Sequence, residues 1–345
     1  MKWHFYCASG SPSFRFDGNT PYQRGVGGAE MGLITFTETL AEHGHDVTVF
    51  NQPPQSQKIN GVGYRHTSEF DLGDHADVFV LFRNPFNDLT RMRTPRKIFW
   101  SCDQYTAGNY ATDVFPFVDK IVTISPYHAD FFVKHYGIAR DRLFPIDLPV
   151  RIREYAGLEE KNPHMLLYCS VPHRGLQHLL RMFPQIRQAV PSAELWITSD
   201  YSLWGEGIQP ANEQFRAQAD MPGVKFLGKV NRLELVKLQE QASILAYPNC
   251  AVGGLEELFC ISLAECQVAG TIPVISDRGG ISTTTIGGVL LEGEPGVDSY
   301  DDHFVSAVVS LLQKPDLSAL RSGIQSVARQ RFDPETILEQ WRQIL

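Results

Sequence analysis

Short apolar runs alternate with helical patterns along the whole chain. In the first half, six runs have the length and apolar character of buried strands: WHFYCA, DVTVFN, DVFVLF, KIFWS, KIVTIS and LFPIDLPV. The second half repeats this rhythm with MLLYCSV, AELWITS, VKFLG, SILAYPN, IPVISD and GVLLEG. Runs that are apolar throughout are typical of parallel strands covered on both faces by helices. The pattern therefore predicts parallel sheets.

Helical patterns lie between these runs. AEMGLITFTETLAEHG ends at Gly44 and YHADFFVKHYG ends at Gly137, and a glycine after the last turn is a common helix C-cap. RGLQHLLRMFPQIRQAV and RLELVKLQEQA follow in the second half, where Asn231 and Glu234 predict a capping box. Strands that alternate with helices indicate α/β units with right-handed crossovers. We therefore predict two Rossmann-like domains that face each other across a cleft.

The predicted boundary lies in the polar segment RIREYAGLEEKNPH at 151–164, which contains a glycine and a proline. A chain of 345 residues is long for a single core, so two domains are expected. The predicted division is residues 1–150 and 151–332.

Composition excludes several classes of protein. The hydrophobic share of 43% and the charged share of 20% are ordinary for a soluble globular protein. A net charge of −8 argues against nucleic acid as a partner, because phosphate binding needs a basic surface. The six cysteines form no CxxC pair and no zinc spacing, which is typical of reduced thiols in a cytoplasmic protein. No signal peptide and no apolar stretch of about 20 residues are evident.

A glycine-rich turn, GVGGAE, ends the long loop at 9–28. It places Gly27 and Gly28 just before a helix that is expected to start near Ala29. Backbone amides at a helix N-terminus can bind an anion, and glycines let the anion approach closely. A turn that only joins strand to helix is an equally good interpretation. The G-x-G-x-x-G fingerprint is incomplete, which disfavours a dinucleotide-dependent oxidoreductase.

The second half offers further candidate ligands at its loop-to-helix junctions. Arg174 follows a strand directly and is placed to meet a phosphate, although a solvated arginine is the ordinary interpretation. In GGLEELFCISLAEC the amides of Leu258, Phe259 and Cys260 are expected at a helix N-terminus, where they suit a diphosphate.

Two carboxylates in the same stretch, Glu257 and Glu265, need partners if they lie near the core. The partner could be a structural cation or a ligand. Glu265, nearly two turns into the helix, would suit a vicinal diol such as ribose, since a carboxylate can accept two hydrogen bonds. The alternative is an amphipathic helix whose Ser262 and Glu265 face water.

These residues carry a resemblance to a known family. EELFCISLAE resembles the E-x7-E signature of retaining family 4 glycosyltransferases of GT-B fold. GVGGAEMGLITFTETLAEHGHDVTVF, TISPYHADFFVKHYGI and SVPHRGLQHLL are similar to other parts of that family, in the same order. FDPETILEQWRQIL resembles the family's closing helix, so 333–345 is expected to return to the N-terminal domain. The resemblance covers nearly the whole chain.

The resemblance implies a role for each matching position. In the family, the second glutamate binds the ribose hydroxyls of a nucleotide-sugar, the first contacts the donor sugar, and a basic residue neutralises the diphosphate. The corresponding residues here are Glu265, Glu257 and Arg174. Gly27 and Gly28 would line the donor phosphates, and Lys229 and Val230 would meet the base. Leu258, Phe259 and Cys260 would complete the donor site.

The implied reaction moves a sugar from a nucleoside diphosphate sugar to an acceptor hydroxyl, with retention of the anomeric configuration. Neither a metal nor another cofactor is expected, because cations and helix termini stabilise the departing diphosphate. The acceptor is expected to be a carbohydrate, a lipid-linked molecule or a small molecule bound by residues 1–150, while residues 151–332 bind the donor. A catalytically inactive nucleotide-sugar-binding or scaffold protein of the same fold is the alternative.

Three departures from the family pattern stand out. Cys169 and Ser170 occupy the region where an arginine is common before the basic residue, so Arg174 would act with less help. Cys102 and Asp103 stand where His-Asp is common, which leaves Asp103 as a catalytic or acceptor-site candidate. The sequence IDLPV replaces an Asn-Gly turn.

A basic cluster near the first domain leaves one question of location open. It could contact anionic lipid at the inner membrane surface, but an ordinary solvated surface is the alternative. We expect a cytoplasmic protein with at most weak peripheral membrane contact. The cluster comprises Arg83, Arg91, Arg93, Arg96 and Lys97.

Overall fold

The chain forms two compact units in a computed structural model that describes residues 1–7, 15–86, 88–105, 109–204, 209–251 and 253–345. The first unit comprises Met1–Pro21, Val26–Pro149 and Pro334–Leu345, and the second comprises Tyr22–Gly25 and Val150–Asp333. Residues 9–14 of the predicted glycine loop lie outside the described residues.

An eight-stranded sheet forms the centre of the first unit, in the order β3-β4-β2-β1-β5-β6-β7-β8. Its neighbours pair in parallel except for the antiparallel pair β3–β4. The strands are β1 Lys2–Tyr6, β2 Asp46–Asn51, β3 Gln57–Ile59, β4 Val62–His66, β5 Val78–Phe82, β6 Arg96–Trp100, β7 Lys120–Thr123 and β8 Leu143–Pro145.

A six-stranded sheet forms the second unit, in the order β11-β10-β9-β12-β13-β14, and all its pairs are parallel. Its strands are β9 Asn162–Tyr168, β10 Glu194–Ile197, β11 Val224–Phe226, β12 Ala242–Tyr247, β13 Ile272–Ser276 and β14 Val289–Leu291.

Helices connect the strands in both units. They are α1 Thr20–Gln23, α2 Gly28–Glu42, α3 Tyr110–Asp113, α4 Pro126–Tyr136, α5 Leu176–Ala189, α6 Gln209–Gln218, α7 Arg232–Gln241, α8 Ile261–Val268, α9 Ile281–Thr284, α10 Asp298–Leu312, α11 Ser318–Arg331 and α12 Pro334–Gln343. Strands alternate with helices through most of the chain, so the predicted α/β class with two Rossmann-like sheets is confirmed.

Helix α12 completes the core of the first unit. It packs on α2, and the Trp341 indole lies against the rings of Trp3, Phe36 and Trp100. All four side chains are fully buried. Lys120 donates to the carbonyl of Ile344, which holds the C-terminal residues against the start of β7. These contacts account for the placement of Pro334–Leu345 in the first unit.

The structure differs from the sequence predictions in three places. The antiparallel hairpin β3–β4 was not predicted, although Asn60 and Gly61, both with positive φ, form its turn. The segment 151–164 was predicted to be a polar linker, yet it contains the fully buried Tyr155 and the beginning of β9. Finally, Tyr22–Gly25 belongs to the second unit rather than to the first.

Candidate functional site

The strand order of the second unit marks where a ligand would bind. The chain proceeds outward from β9 to β10 and β11, then returns to the other side of β9 with β12. In sheets of this kind, ligands bind outside the carboxyl ends of the strands where the order reverses. Arg174 follows β9 and Glu257 follows β12, so both predicted residues lie in loops at this switch point.

The guanidinium of Arg174 faces the turn that precedes α8. It donates to the carbonyl oxygens of Leu255 at 3.1 Å and of Glu256 at 3.5 Å, and its Nε lies 3.9 Å from Oε2 of Glu257. Burial disfavours the charged guanidinium, but Glu257 and smaller contributions from neighbouring side chains together outweigh burial, so the pKa of Arg174 is raised. Arg174 is therefore a fixed cation with 12% of its side chain exposed, not a freely solvated arginine.

Glu257 is held from its other side by a tyrosine. The Tyr247 hydroxyl lies 3.1 Å from Oε2 of Glu257 and 3.1 Å from the Ser170 hydroxyl. Burial, followed by the Glu257 charge, raises the pKa of Tyr247, so the hydroxyl keeps its proton and donates to the carboxylate. Ser170, one of the departures from the family pattern, thus joins a polar chain that continues through Tyr247 and Glu257 to Arg174.

Glycines permit the close backbone approaches around this chain. Gly175 has φ of 109°, and a Cβ there would overlap the carbonyl oxygen of Pro248, which follows β12. Gly280 donates its backbone N–H to the carbonyl oxygen of Glu257 at 2.6 Å, and a Cβ there would overlap the carbonyl oxygen of Leu258. A larger residue at Gly280 would displace the turn that carries Glu257, and one at Gly175 would displace the backbone that follows β12.

The predicted donor residues Leu258, Phe259 and Cys260 form the turn immediately before α8, which begins at Ile261. All three are buried. Cys260 has φ of 64°, a left-handed conformation that is costly for a residue with a side chain and that here bends the chain into the helix. The Phe259 ring packs edge-on against Phe332 at 5.8 Å between centroids, so this residue anchors the turn to the core.

Glu265 has a different environment from Glu257. It is 3% exposed, its Oε1 accepts from Nη1 of Arg232 at 2.5 Å, and its Oε2 accepts from Nε2 of Gln239 at 3.1 Å. The alternative in which Glu265 faces water is therefore wrong. The sequence left two partners for Glu265 open, a structural cation or a ligand. The structure contains the cation, which is Arg232, and the ribose contact stays a prediction.

Lys229 and Val230, predicted to meet the base, follow β11. Burial and the nearby charge of Arg24 lower the pKa of Lys229, whereas Asp200 opposes the shift. Val230 is partly buried against the core of the second unit. The structure thus places both residues on the β11 side of the sheet, beside other charged side chains.

The first unit has its own charged cluster, and Arg83 lies at its centre. Arg83 follows β5 and donates to both carboxylate oxygens of Asp103, each at 2.7 Å, and to Oε1 of Glu30 at 2.5 Å. Burial disfavours the charged guanidinium, but Glu30 and Asp103 outweigh it and raise the pKa of Arg83. Asp103 keeps 31% of its side chain exposed, so this cluster remains open to solvent on one side.

The glycine turn leads directly into this cluster. Gly27 is the N-cap of α2 with φ of −66°, and Gly28 begins the helix. Glu30, in the first turn of α2, then reaches Arg83. The strand order of the first sheet reverses between β1 and β5, and Arg83 follows β5 there. The structure therefore brings the predicted glycines and Asp103 to one region through Glu30, which the sequence did not single out, and Arg83, which the sequence had placed only in a basic cluster.

Neutral groups surround the Asp103 backbone. Nε2 of His128 lies 3.1 Å from the Asp103 carbonyl oxygen, and Nδ1 of His128 faces the Ile124 N–H. Burial lowers the pKa of His128 to about 4, so the imidazole is neutral at physiological pH and Nε2 donates. Burial also raises the pKa of the Cys7 thiol to about 12 and that of Cys102 well above its usual value.

Four of the five residues in the basic cluster considered for membrane contact have partners within the first unit. Arg83 belongs to the cluster with Asp103, Arg91 pairs with Asp88, Arg96 donates to the Leu345 carbonyl, and Lys97 donates to the Leu89 carbonyl. No helix within the described ranges is long and apolar enough to cross a membrane. Among the same residues, no group of three or more histidine, cysteine and acidic side chains is placed to hold a metal ion.

Sequence reasoning missed Arg232, Tyr247 and the role of Arg83 beside Asp103. Arg232 carried a detectable signal, because a cation in the first turn of a helix is disfavoured by the helix dipole and needs a strong acidic partner. Tyr247 looked like an ordinary strand-end aromatic residue. This role of Arg83 gave no local signal, because its partners Asp103 and Glu30 lie 20 and 53 positions away in the sequence.

A known family of proteins resembles much of the second unit. Residues 163–314 match the family model described as Glycosyl transferases group 1. A "GDP-mannose-dependent alpha-(1-6)-phosphatidylinositol monomannoside mannosyltransferase" of Mycolicibacterium smegmatis is 31% identical over 53% of this chain and 47% of that protein. Its counterpart for the monoacylated substrate in Corynebacterium glutamicum is 28% identical over 47% of this chain and 41% of that protein. The aligned region is about half the length of each curated relative.

The whole chain is similar in structure to HepE of Anabaena, solved in complex with UDP-glucose. The TM-score is 0.71, with 17% identity over 100% of this chain and 99% of that chain. At this identity the likeness shows the fold, which is that of GT-B glycosyltransferases.

Proposed function

We propose that this chain, whose residues 163–314 match the Glycosyl transferases group 1 family model, transfers a sugar from a nucleoside diphosphate sugar to an acceptor hydroxyl with retention of configuration. The observation that carries the proposal is the pairing of Arg174 with Glu257 at the switch point of the second sheet. At this position a fixed cation can bind the diphosphate of the donor, and a fixed carboxylate can bind its sugar.

Arg174 acts on the leaving group. When the bond between the sugar C1 and the diphosphate oxygen breaks, the bonding electrons stay on the diphosphate. A guanidinium already held at the turn stabilises this developing charge without reorganising. The acceptor oxygen forms the new bond to C1, and its proton passes to the departing diphosphate. In this proposal the reaction needs no metal ion, and the turn 258–260 supplies further backbone donors.

Glu257 orients the donor sugar. Its Oε2 already accepts from Tyr247, so the carboxylate holds one rotamer and offers its remaining lone pairs to sugar hydroxyls. Glu265 takes the ribose, and Lys229 and Val230 lie near the base. Gly27 and Gly28 line the donor phosphates.

The acceptor hydroxyl is proposed to bind beside Asp103. The bidentate pair with Arg83 fixes this carboxylate, while its exposed edge can accept a hydrogen bond from a hydroxyl. The two curated relatives are named for phosphatidylinositol mannoside acceptors. We therefore propose a lipid-linked glycan as acceptor, reached by a cytoplasmic protein in weak contact with the inner membrane surface.

A panel of nucleotides and nucleotide-sugars tests the proposal. Thermal shift with GDP, UDP and ADP identifies the base, since a ligand at 100 times its dissociation constant stabilises the folded state by about 2.7 kcal/mol. Slow release of nucleoside diphosphate from GDP-mannose or UDP-glucose supports a transferase. Binding without turnover, with any acceptor offered, supports the inactive scaffold instead. A protein that binds none of these nucleotides would contradict both.

A further inference from the structure

A closed ring of hydrogen bonds surrounds Glu265 inside the second unit. Arg232 donates from Nη1 to Glu265 and from Nη2 to the Tyr155 hydroxyl at 3.0 Å. The Tyr155 hydroxyl donates to Oε1 of Gln239 at 2.7 Å, and Nε2 of Gln239 donates back to Glu265. Each of the four side chains is at most 4% exposed.

Arg232 is fixed from a further side as well. Its Nε donates to Oε2 of Glu154 at 2.6 Å, so all three guanidinium nitrogens have an oxygen partner. Oε1 of Glu154 accepts in turn from the Tyr22 hydroxyl at 2.6 Å. Arg232 therefore cannot rotate away from Glu265 without breaking several buried hydrogen bonds.

Stability alone is a weak reason for such a pair. Taking two charges out of water costs about as much as their attraction returns, and well-packed apolar residues often replace a buried pair without loss. Arg232 also stands in the first turn of α7, where the helix dipole opposes a cation. The arrangement is better explained by a need to hold the Glu265 carboxylate in one orientation.

The ring leaves unused acceptor capacity on the Glu265 carboxylate. A carboxylate has about four lone-pair positions, two on each oxygen, and the ring uses one on each. One acceptor position therefore remains on Oε1 and one on Oε2. Two adjacent acceptors in a fixed plane match the two neighbouring hydroxyls of a ribose.

We propose that Arg232 is a positioning residue that orients Glu265 to recognise the ribose diol of the nucleotide. This inference rests on the proposed function, in which Glu265 contacts the ribose. Arg232 touches no substrate itself. Its contribution is the discrimination between a ribonucleotide and its deoxy counterpart, because a carboxylate free to rotate would no longer present both acceptors together.

The test compares GDP with 2′-deoxy-GDP, and UDP with 2′-deoxy-UDP, by titration calorimetry on the full chain. For the nucleotide that binds, the wild-type protein should prefer the ribonucleotide by about tenfold, the effect of one charge-assisted hydrogen bond. Arg232→Met should bring this ratio close to one. Arg232→Lys keeps the charge and one donor, and should restore part of the ratio.

Two further variants keep the test decisive. Arg187→Met removes a hydrogen bond to the Ala193 carbonyl in the same unit, away from the ring, and should leave the ratio unchanged. Tyr155→Phe keeps the ring volume and removes only the hydroxyl that links Arg232 to Gln239, so it should lower the ratio even if Arg232→Met fails to fold. A wild-type ratio in folded Arg232→Met, or in Tyr155→Phe should the former not fold, would overturn the inference. Failure of the wild-type protein to bind either ribonucleotide would instead overturn the proposed function.

Discussion

At the scale of single residues, the two glutamates of the E-x7-E stretch differ in how they are held. Glu257 is joined to Tyr247 and lies near Arg174 in a turn, whereas Glu265 is enclosed by Arg232 and Gln239. The sequence could indicate that both carboxylates need partners, because burial of an unpaired charge is costly. It could not identify Tyr247 or Arg232, because those contacts depend on how distant segments fold together.

Arg174→Gln should weaken the binding of nucleoside diphosphate by about tenfold or more, because it removes the cation proposed to face the diphosphate. The folded state should persist, since the lost hydrogen bonds are two contacts with backbone carbonyls of the turn. Calorimetry with GDP and UDP measures the effect, and Arg187→Gln serves as a matched control. Equal affinity in Arg174→Gln and wild type would remove Arg174 from the donor site.

His128 should make the protein less stable as the pH falls. Its pKa is about 4 in the folded state and about 6.5 in an unfolded chain, so between these values the unfolded state binds a proton that the folded state does not. About one pH unit above 6.5 and higher, this histidine has almost no effect on the pH dependence, because it is neutral in both states. Lowering the pH from 7.5 to 5.5 should cost about 1.4 kcal/mol through His128 alone.

Urea unfolding of wild type and His128→Gln at both pH values isolates this contribution. Glutamine does not titrate, so the variant should lose about 1.4 kcal/mol less than wild type over the same interval. Parallel losses in the two proteins would show that His128 titrates normally in the folded state.

At the scale of secondary structure, features that depend on neighbouring residues were predicted correctly from the sequence. Features that depend on contacts between distant segments were not. The Asn231–Glu234 capping box is present at the start of α7, because its hydrogen bonds join residues three apart. Gly137 ends α4 in the left-handed conformation for the same local reason. The β3–β4 hairpin escaped the hydrophobic pattern because its strands are short and partly polar, although Asn-Gly is a strong hairpin signal. The segment 151–164 was interpreted as a linker because it is polar. Composition alone does not show that such residues make buried contacts.

Two glycine substitutions should have opposite effects on stability. Gly175→Ala places a Cβ on the Pro248 carbonyl oxygen at φ of 109° and should destabilise the protein by about 2 kcal/mol or more. Gly323→Ala lies in the middle of α11 with open space around it and should stabilise the protein by about 0.5–1 kcal/mol. Denaturant unfolding of both variants decides the matter. If both variants changed the free energy of unfolding by similar amounts in the same direction, the protein would relieve the close approach at Gly175 at little cost.

At the scale of the whole molecule, the sequence predicted the strands of the second unit more completely than it predicted which segments make up each unit. All six of its strands were predicted in order, because apolar runs bounded by turns mark buried parallel strands. The inclusion of Tyr22–Gly25 in the second unit had no sequence signal, because the contacts of Tyr22 with Arg151 and Glu154 join residues about 130 positions apart.

Trp341→Ala should destabilise the first unit selectively. The indole is fully buried among Trp3, Phe36 and Trp100, and removing a buried large aromatic side chain costs about 3–5 kcal/mol. In hydrogen-exchange measurements, the backbone amides of β1 and β6 should lose protection, whereas those of β9 and β12 should keep it. Equal loss of protection in both sheets would mean that the two units unfold as one.

The central claim, sugar transfer from a nucleotide-sugar through the Arg174–Glu257 site, is tested most directly by proton NMR of donor turnover in the presence of EDTA. GDP-mannose and UDP-glucose are the probes, and the first sugar signal to appear is assigned to its anomer. We expect release of nucleoside diphosphate without a metal ion, a released sugar that first has the configuration of the donor, and loss of this turnover in Glu257→Gln. Turnover that requires added magnesium or manganese, an inverted first product, or an undiminished rate in Glu257→Gln would contradict it.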